Sequence, residues 1–262
     1  MTPVDAIILG IVQGLTEFLP ISSSGHIELG SALLNVQSTN SLLFSVVVHA
    51  ATSLSTIVVF RKDLIQLISE LFQLKKEAVY YSGALILSAV PVGIIGLTYE
   101  KEIESFFSGQ VLLVGFMLLV TGLLLALTYY SRPREGKVTL GRALLIGLSQ
   151  ALAILPGISR SGATISTALL LGVDKEQAAR FSFLMVLIPI LGGSALKLLD
   201  FLGDPSSSGD TSVWTLTFGF LAAFITGLVA CKWMISIVKK GKLIYFAFYC
   251  FIVGSITILL TI

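Results

Sequence analysis

The chain has 262 residues, of which 55% are apolar and only 12% charged, and its mean hydropathy is +0.95. Soluble domains usually carry about 25% charged residues, so this composition excludes a soluble globular protein and indicates one whose solvent is lipid. The net charge is only +2, and the two cysteines have no metal-binding spacing. We therefore expect membrane lipids, and no nucleic acid, among its partners.

Eight apolar stretches follow one another along the chain, and six are long enough for a transmembrane helix, which needs about 20 mostly apolar residues. These six are 41–60, 78–97, 110–130, 181–199, 214–235 and 243–262. The other two, 4–34 and 140–171, are interrupted by polar segments at 20–25 and 156–162. Since each of their halves is too short to span, we predict two re-entrant helical hairpins. The predicted fold is an all-α polytopic membrane protein with six transmembrane helices.

Positive charge is concentrated on one side of this arrangement. Fourteen of the 17 Lys and Arg residues lie in four loops, at 61–77, 131–142, 172–180 and 232–242. Positively charged loops stay in the cytoplasm, so we predict a multi-pass membrane protein with both termini outside. Only Lys101 and Lys197 lie on the terminal side. The remaining basic residue, Arg160, lies at the second interruption, and an Arg at membrane depth indicates a functional site.

The two interrupted segments are related by a shift of 137 residues. This shift aligns six polar or glycine pairs: Gly10 with Gly147, Gln13 with Gln150, Ser22 with Ser159, Ser24 with Ser161, Gly25 with Gly162 and Ser45 with Ser182. We therefore predict a single membrane domain, 1–262, built from repeats at about 1–130 and 138–262. Each half has one hairpin and three spans, an odd number, so the second half is inverted. Inverted repeats place their site near the midplane, where the broken helices meet.

The first interruption carries side chains suited to proton transfer and metal binding. Gln13 and Glu17 are four residues apart and share one helix face, while Ser23 and His26 lie three apart at the start of the next helix. A carboxylate beside a phosphate requires a proton or a metal ion such as Mg²⁺ or Ca²⁺. A hydroxyl nucleophile with a His base is a known arrangement for phosphoryl transfer. His49, inside the first span, is interpreted as a residue for packing or for a hydrogen bond between helices.

The second interruption carries donors for phosphate oxygens. Ser159, Arg160 and Ser161 open a helix, and Thr164 lies one turn later. Helix N-termini present free N–H groups and a positive dipole end, and the Arg fork can hold two phosphate oxygens at once. We therefore predict a phosphate site where the two interruptions meet, to which Ser22 also contributes.

The motifs at both interruptions resemble those of the undecaprenyl-diphosphatase family, also called the bacitracin-resistance protein family, and the resemblance covers essentially the whole chain. The matching patterns are Gln-x-x-x-Glu at 13–17, Phe-Leu-Pro-x-Ser-Ser-x-Gly-His at 18–26 and Pro-Gly-x-Ser-Arg-Ser-x-x-Thr at 156–164. At position 13 the family pattern allows Glu or Gln. The Gln of this chain leaves one fewer carboxylate for a metal ion.

The resemblance implies a metal-dependent phosphatase, using Mg²⁺ or Ca²⁺, that converts undecaprenyl diphosphate to the monophosphate. That reaction recycles the lipid carrier for cell-wall synthesis and confers bacitracin resistance. We expect Ser23, His26 and Glu17 to be catalytic, with Gln13 beside Glu17 at the metal. The expected phosphate ligands are Arg160, Ser159, Ser161, Thr164 and Ser22.

The residues alone leave some alternatives open. Three candidates for the nucleophile stay open: Ser23 with His26 as its base, a water molecule, or His26 itself. Broken helices in an inverted repeat are also typical of transporters, so a transporter or flippase of the phosphorylated lipid is the alternative function. The sequence leaves the oligomeric state open, with a homodimer as one option.

Overall fold

A computed structural model describes residues 1–36, 41–106, 110–131, 135–203 and 212–262. Within these ranges the chain is helical, with an isolated bridge between Gly136 and Val173 in place of any strand. Arg132 and Arg134 of the predicted basic loops lie outside the described residues. The helices are α1 (Pro3–Phe18), α2 (Ser23–Leu33), α3 (Ser41–Val59), α4 (Arg61–Phe72), α5 (Lys76–Thr98), α6 (Glu100–Phe106), α7 (Val111–Leu127), α8 (Leu140–Leu152), α9 (Arg160–Leu170), α10 (Lys175–Met185), α11 (Leu187–Gly203), α12 (Val213–Lys239) and α13 (Ile244–Thr261).

Five helical stretches of the described chain are long and apolar enough to cross a membrane. They are α5, α7 with its 3₁₀ turn, α10 with most of α11, α12 and α13. A sixth is formed if α3 and α4, which are bent by 73° relative to each other, count as one span. Large apolar side chains on the outer faces, such as Ile86, Ile225 and Phe248, are exposed, as a lipid solvent requires. These observations confirm the all-helical polytopic class.

Three segments predicted as loops are largely helical, and one of them, 232–242, contains the end of α12, which extends to Lys239. The predicted loop at 172–180 contains the start of α10, because the Asp174 side chain caps that helix by accepting hydrogen bonds from the backbone N–H groups of Glu176 and Gln177. The predicted loop at 61–77 contains α4. In these segments most of the charged residues that indicated a loop lie on helices.

Helix α4 is amphipathic and buries none of its residues. Arg61 and Lys62 begin the helix, whereas Ile65, Ile68 and Phe72 lie further along it and are exposed, Phe72 at 87%. Leu64 and Leu67 pack against the core, so the exposed apolar residues form a second face beside the basic ones, which suits the helix to the membrane interface.

The two interrupted stretches are broken at the predicted segments. α1 and α2 are separated by residues 19–22, and α8 and α9 by residues 153–159. Each of these four helices has 16 residues or fewer, which is too short to span a bilayer. α1 packs against α12 and α2, and α8 packs against α5 and α9, so each broken segment is held partly by a helix from the other half of the chain.

Glycines allow the broken segments to approach these partners closely. A Cβ atom on Gly14 of α1 would collide with the hydroxyl of Thr226 and lie 2.5 Å from the carbonyl oxygen of Ala223, both on α12. On α8, a Cβ atom on Gly147 would likewise collide with the backbone of Ser88 on α5. Small residues at such contacts are the usual means of close helix packing in membranes.

We expect Gly14→Ala to lower the thermal midpoint of the detergent-solubilised protein, because overpacking a close contact costs about 1–3 kcal/mol. Gly93→Ala is the matched control: Gly93 lies within α5, and a Cβ there would meet no atom within 4 Å. Fluorescence-detected size-exclusion chromatography after heating measures both. Equal midpoints for Gly14→Ala and the wild type would contradict the packing described.

Candidate functional site

The helices that follow the two breaks begin with the same serine cap. The Ser22 side chain accepts a hydrogen bond from the N–H of Gly25 (3.2 Å) at the start of α2. The Ser159 side chain accepts one from the N–H of Gly162 (3.0 Å) at the start of α9. Ser22 has a φ of 70°, a backbone conformation that is uncommon for residues other than glycine. Two of the three predicted phosphate-binding serines, Ser22 and Ser159, are therefore helix caps, related by the 137-residue shift.

The two breaks meet in space. A Cβ atom added to Gly25 would lie 3.1 Å from Cα of Gly157, and one added to Gly162 would lie 3.4 Å from Cβ of Pro20. Gly157 has a φ of +98°, which favours glycine. These contacts place the N-termini of α2 and α9 beside each other, so two positive helix ends face one region.

Thr121 of α7 holds the second break in place. Its buried hydroxyl donates to the carbonyl oxygen of Gly157 (2.9 Å) and accepts from the N–H of Ser159 (3.0 Å). These bonds satisfy two backbone groups that have no helical partner at the break. The hydrogen-bond donors at the start of α9 are therefore positioned by Thr121, a residue of the first half of the chain that no sequence motif marks.

An ion pair joins the two broken segments. Arg160 Nη2, in the first turn of α9, lies 3.0 Å from Glu17 Oε1, in the last turn of α1. The side chains are 26% and 9% exposed, respectively. An arginine has five N–H donors, and one of them is used in this pair, so others remain for the oxygens of an anion. The neighbouring hydroxyl of Ser161 is 3.4 Å from the carbonyl oxygens of Glu17 and Leu19.

The second oxygen of Glu17 is surrounded by donors. Oε2 accepts hydrogen bonds from Ser23 Oγ (2.5 Å) and Gln13 Nε2 (2.9 Å). His49 Nε2 of α3 is 3.7 Å from the same oxygen, so the residue interpreted as packing lies at the site. Ser23 opens α2, which means that one carboxylate connects the hydroxyl of one helix start to the arginine of the other.

His26 does not contact Ser23, contrary to the predicted nucleophile–base pair. Its Nδ1 donates to the carbonyl oxygen of Ser22 (2.8 Å), and the Tyr249 hydroxyl of α13 is 2.8 Å from its Nε2. The ring also stacks on that of Tyr249, with centroids 5.7 Å apart. The three-residue spacing puts Ser23 and His26 near one face, but the Ser22 carbonyl and Tyr249 hold the imidazole elsewhere.

Thr164 lies one turn beyond Arg160, and its hydroxyl donates to the Arg160 carbonyl oxygen (2.9 Å) within α9. The hydroxyl can therefore offer only its lone pairs to a ligand. This engagement makes Thr164 less suited to phosphate than the sequence indicates, whereas Arg160 and the free N–H groups of the helix start keep donor capacity.

A divalent cation suits the oxygens next to Arg160. Gln13 Oε1 is buried and has no hydrogen-bond partner within the described chain, and the Glu17 carboxylate lies beside it. No group of three or more His, Cys, Asp or Glu side chains in the described ranges could hold a metal ion. Mg²⁺, however, is commonly held by one or two carboxylates together with substrate phosphates. The residues present thus fit a cation that is completed by a phosphorylated ligand.

These features define a polytopic membrane protein with an ion pair and several hydroxyl groups gathered between two broken helical segments. The chain belongs to the bacitracin resistance protein BacA family, whose model matches residues 6–256.

Three similar proteins carry the name undecaprenyl-diphosphatase. The protein from Christiangramia forsetii is 54% identical over 258 residues, 97% of both chains. The protein from Parabacteroides distasonis is 49% identical over 98% of this chain and 97% of its own length. The protein from Methanobrevibacter smithii is 39% identical over 98% of this chain and 96% of its own length.

Proposed function

We propose that this protein hydrolyses undecaprenyl diphosphate to undecaprenyl phosphate and inorganic phosphate, and so recycles the lipid carrier for cell-wall synthesis and confers bacitracin resistance. The observation that carries the proposal is the contact of Arg160, Glu17 and Ser23 between two helix N-termini in a lipid-embedded protein. The names of relatives that align over nearly the whole chain support a phosphatase over a transporter of the same lipid.

The phosphates bind where the two helix starts meet. Arg160 donates to the phosphate oxygens, and the N–H groups that open α2 and α9 add directed donors and positive dipole ends. Ser161, beside the Glu17 carbonyl, is within reach of the same region. Glu17 does not repel the diphosphate, because Arg160 balances its charge. The isoprenoid tail lies along the apolar helices.

Ser23 is the nucleophile in this proposal, and Glu17 accepts its proton. As the Ser23 Oγ–phosphorus bond forms, the bond from the terminal phosphorus to the bridging oxygen breaks. Undecaprenyl phosphate leaves with the electron pair and takes the proton from Glu17. Water then attacks the phosphorus on Ser23 and gives a proton to Glu17, which returns it to Oγ as inorganic phosphate departs. The 2.5 Å hydrogen bond from Ser23 to Glu17 supports this assignment.

His26 is a positioning residue in this scheme. Its bond to the Ser22 carbonyl oxygen fixes the turn that precedes Ser23, and Tyr249 holds the ring from the other side. The base role that sequence spacing gave to His26 therefore passes to Glu17.

A divalent cation, Mg²⁺ or Ca²⁺, would be held by Glu17 and by Oε1 of Gln13, together with the substrate. When bound, it supplies positive charge that neutralises the diphosphate. The buried and unpartnered Oε1 of Gln13 supports this placement.

In the proposed membrane arrangement, α1–α2 and α8–α9 are re-entrant hairpins in an inverted repeat, with halves at about 1–130 and 138–262. The reciprocal packing of α1 on α12 and of α8 on α5 supports the repeat. The concentration of Lys and Arg in four segments of one side supports placing both termini and the site on the periplasmic face of an inner membrane.

We expect purified protein to release phosphate from undecaprenyl diphosphate when Mg²⁺ or Ca²⁺ is present. This release should cease when EDTA removes the metal ion. Arg160→Ala should lower turnover at least about 100-fold, because a donor to the transition state is lost. Arg180→Ala is the matched control, since Arg180 pairs with Asp63 (2.8 Å) away from the site, and should retain activity. A folded Arg160→Ala variant with normal turnover would refute the role of Arg160.

Ser23→Ala should also lower turnover at least about 100-fold, because the nucleophile is removed. Ser24→Ala should stay within a few-fold of the wild type, since Ser24 contacts the Ser22 hydroxyl rather than Glu17. Acid quenching with terminally radiolabelled substrate should trap label on Ser23 in the wild type. Unchanged turnover of Ser23→Ala would exclude Ser23 as the nucleophile.

The orientation can be tested by labelling intact cells with a membrane-impermeant maleimide. Ile262→Cys, at the exposed C-terminus, should react, whereas Lys240→Cys, after α12, should react only once the cells are opened. The native Cys231 and Cys250 are buried, so the wild-type protein should show little labelling and gives the background signal. The reverse pattern would place both termini in the cytoplasm.

A further inference from the structure

A cavity extends from the Glu17–Arg160 pair into the interior, between α3, α8, α9, α10 and α11. Its walls combine apolar side chains with a concentration of small polar ones. The polar residues that line it are Thr52, Ser53, Thr56, Gln150, Ser161, Thr164 and Ser182. Ser23 is not part of this wall, so the cavity meets the nucleophile through Glu17 alone. We call this space the polar chamber.

Three polar side chains of the polar chamber have no hydrogen-bond partner within the described part of the chain. They are Gln150, which is fully buried, and Ser53 and Ser182, which are 2% exposed. Both the amide nitrogen and the amide oxygen of Gln150 are unpartnered. Buried polar groups in proteins are almost always hydrogen-bonded, either to protein or to ordered water. Three such groups around one space therefore indicate a polar ligand.

The repeat explains why Gln150 differs from its counterpart. The 137-residue shift relates Gln150 to Gln13, whose amide donates to Glu17. The same shift places Ile154 where the first half has Glu17. Gln150 thus keeps the buried amide without the carboxylate that engages it, and the amide faces the polar chamber instead.

The donor and acceptor pattern of the polar chamber selects the ligand. The hydroxyls of Thr52, Thr56 and Thr164 donate to carbonyl oxygens of their own helices, so they present only acceptors to the cavity. Gln150 presents both donors and an acceptor. A phosphate ion would bring a net negative charge and a metal cation would accept no hydrogen bond, whereas water is neutral and both donates and accepts. The charged groups Glu17 and Arg160 compensate each other, which leaves the polar chamber suited to a neutral ligand.

We propose that the polar chamber holds ordered water and supplies the molecule that each hydrolysis consumes. This inference rests on the proposed function. The water reaches the phosphorylated Ser23 at Glu17, its oxygen bonds to phosphorus, the phosphorus–Oγ bond breaks, and its proton passes through Glu17 to Oγ. Gln150 and Ser182 are positioning residues that hydrogen-bond the water until it attacks the phosphorylated Ser23. The cavity measures about 20 Å³, which exceeds the about 10–15 Å³ that one ordered water molecule needs.

Radiolytic hydroxyl labelling of the full-length protein in lipid nanodiscs tests the hydration directly. Phe183 lines the polar chamber and is 2% exposed, whereas Phe181 is fully buried and lies outside it. Phe183 should be oxidised several-fold faster than Phe181, and Gln150→Leu should reduce that ratio. Equal rates for the two rings would overturn the proposal, whatever the activity of the protein.

Kinetics of undecaprenyl diphosphate hydrolysis test the supply of water. Gln150→Leu should lower kcat at least tenfold with little change in KM, and Ser182→Ala should lower it several-fold. Both variants should accumulate phosphorylated Ser23, which a general loss of structure would not produce. Ser166→Ala is the matched control, since Ser166 is also buried and unpartnered in the described chain but does not line the polar chamber, and its kcat should be unchanged.

The outcomes separate the two proposals. A wild type that releases no phosphate would refute the phosphatase function. Full wild-type activity, with Gln150→Leu and Ser182→Ala equal to Ser166→Ala, would refute the polar chamber alone.

Discussion

The buried ion pair between Glu17 and Arg160 is the contact on which both the fold and the chemistry depend. The two residues are 143 positions apart, and their meeting holds the two broken segments together. Removing charges from water costs several kcal/mol per ion, and stranding one partner of such a pair typically costs about 3–5 kcal/mol. Hydrogen bonds from Ser23 and Gln13 to the same carboxylate offset part of that cost. Ser23, the proposed nucleophile, and Arg160, the proposed hydrogen-bond donor to phosphate, are thereby fixed by the same carboxylate.

Features determined by local sequence could be predicted. Polar residues within apolar stretches indicated both helix breaks, and a serine at each helix start became the cap because its side chain can reach the N–H three residues ahead. Charges at membrane depth need a partner of opposite sign, which is why Arg160 and Glu17 could be placed at one site. The roles of the site residues, the metal and the inverted repeat stay predictions.

Features that depend on packing between distant helices could not be predicted. Tyr249 holds His26 and Thr121 braces the second break, yet both lie in apolar helices whose contacts no motif marks. His49 reaches Glu17 only because α3 packs beside α1. Without these partners, the spacing of Ser23 and His26 indicated a pair that the structure does not form. Likewise, charge alone could not separate α4 from a loop.

Helix α4 connects the site to the thickness of the bilayer. It leaves α3 at 73° and buries none of its residues, so its apolar face meets lipid at the membrane interface. A helix lying in that plane resists vertical sliding of α3, which carries His49 beside Glu17. Hydrophobic mismatch costs fractions of a kcal/mol per Å. We therefore expect a bilayer that is too thin or too thick to act on the junction at Phe60, which joins α4 to the helix that carries His49.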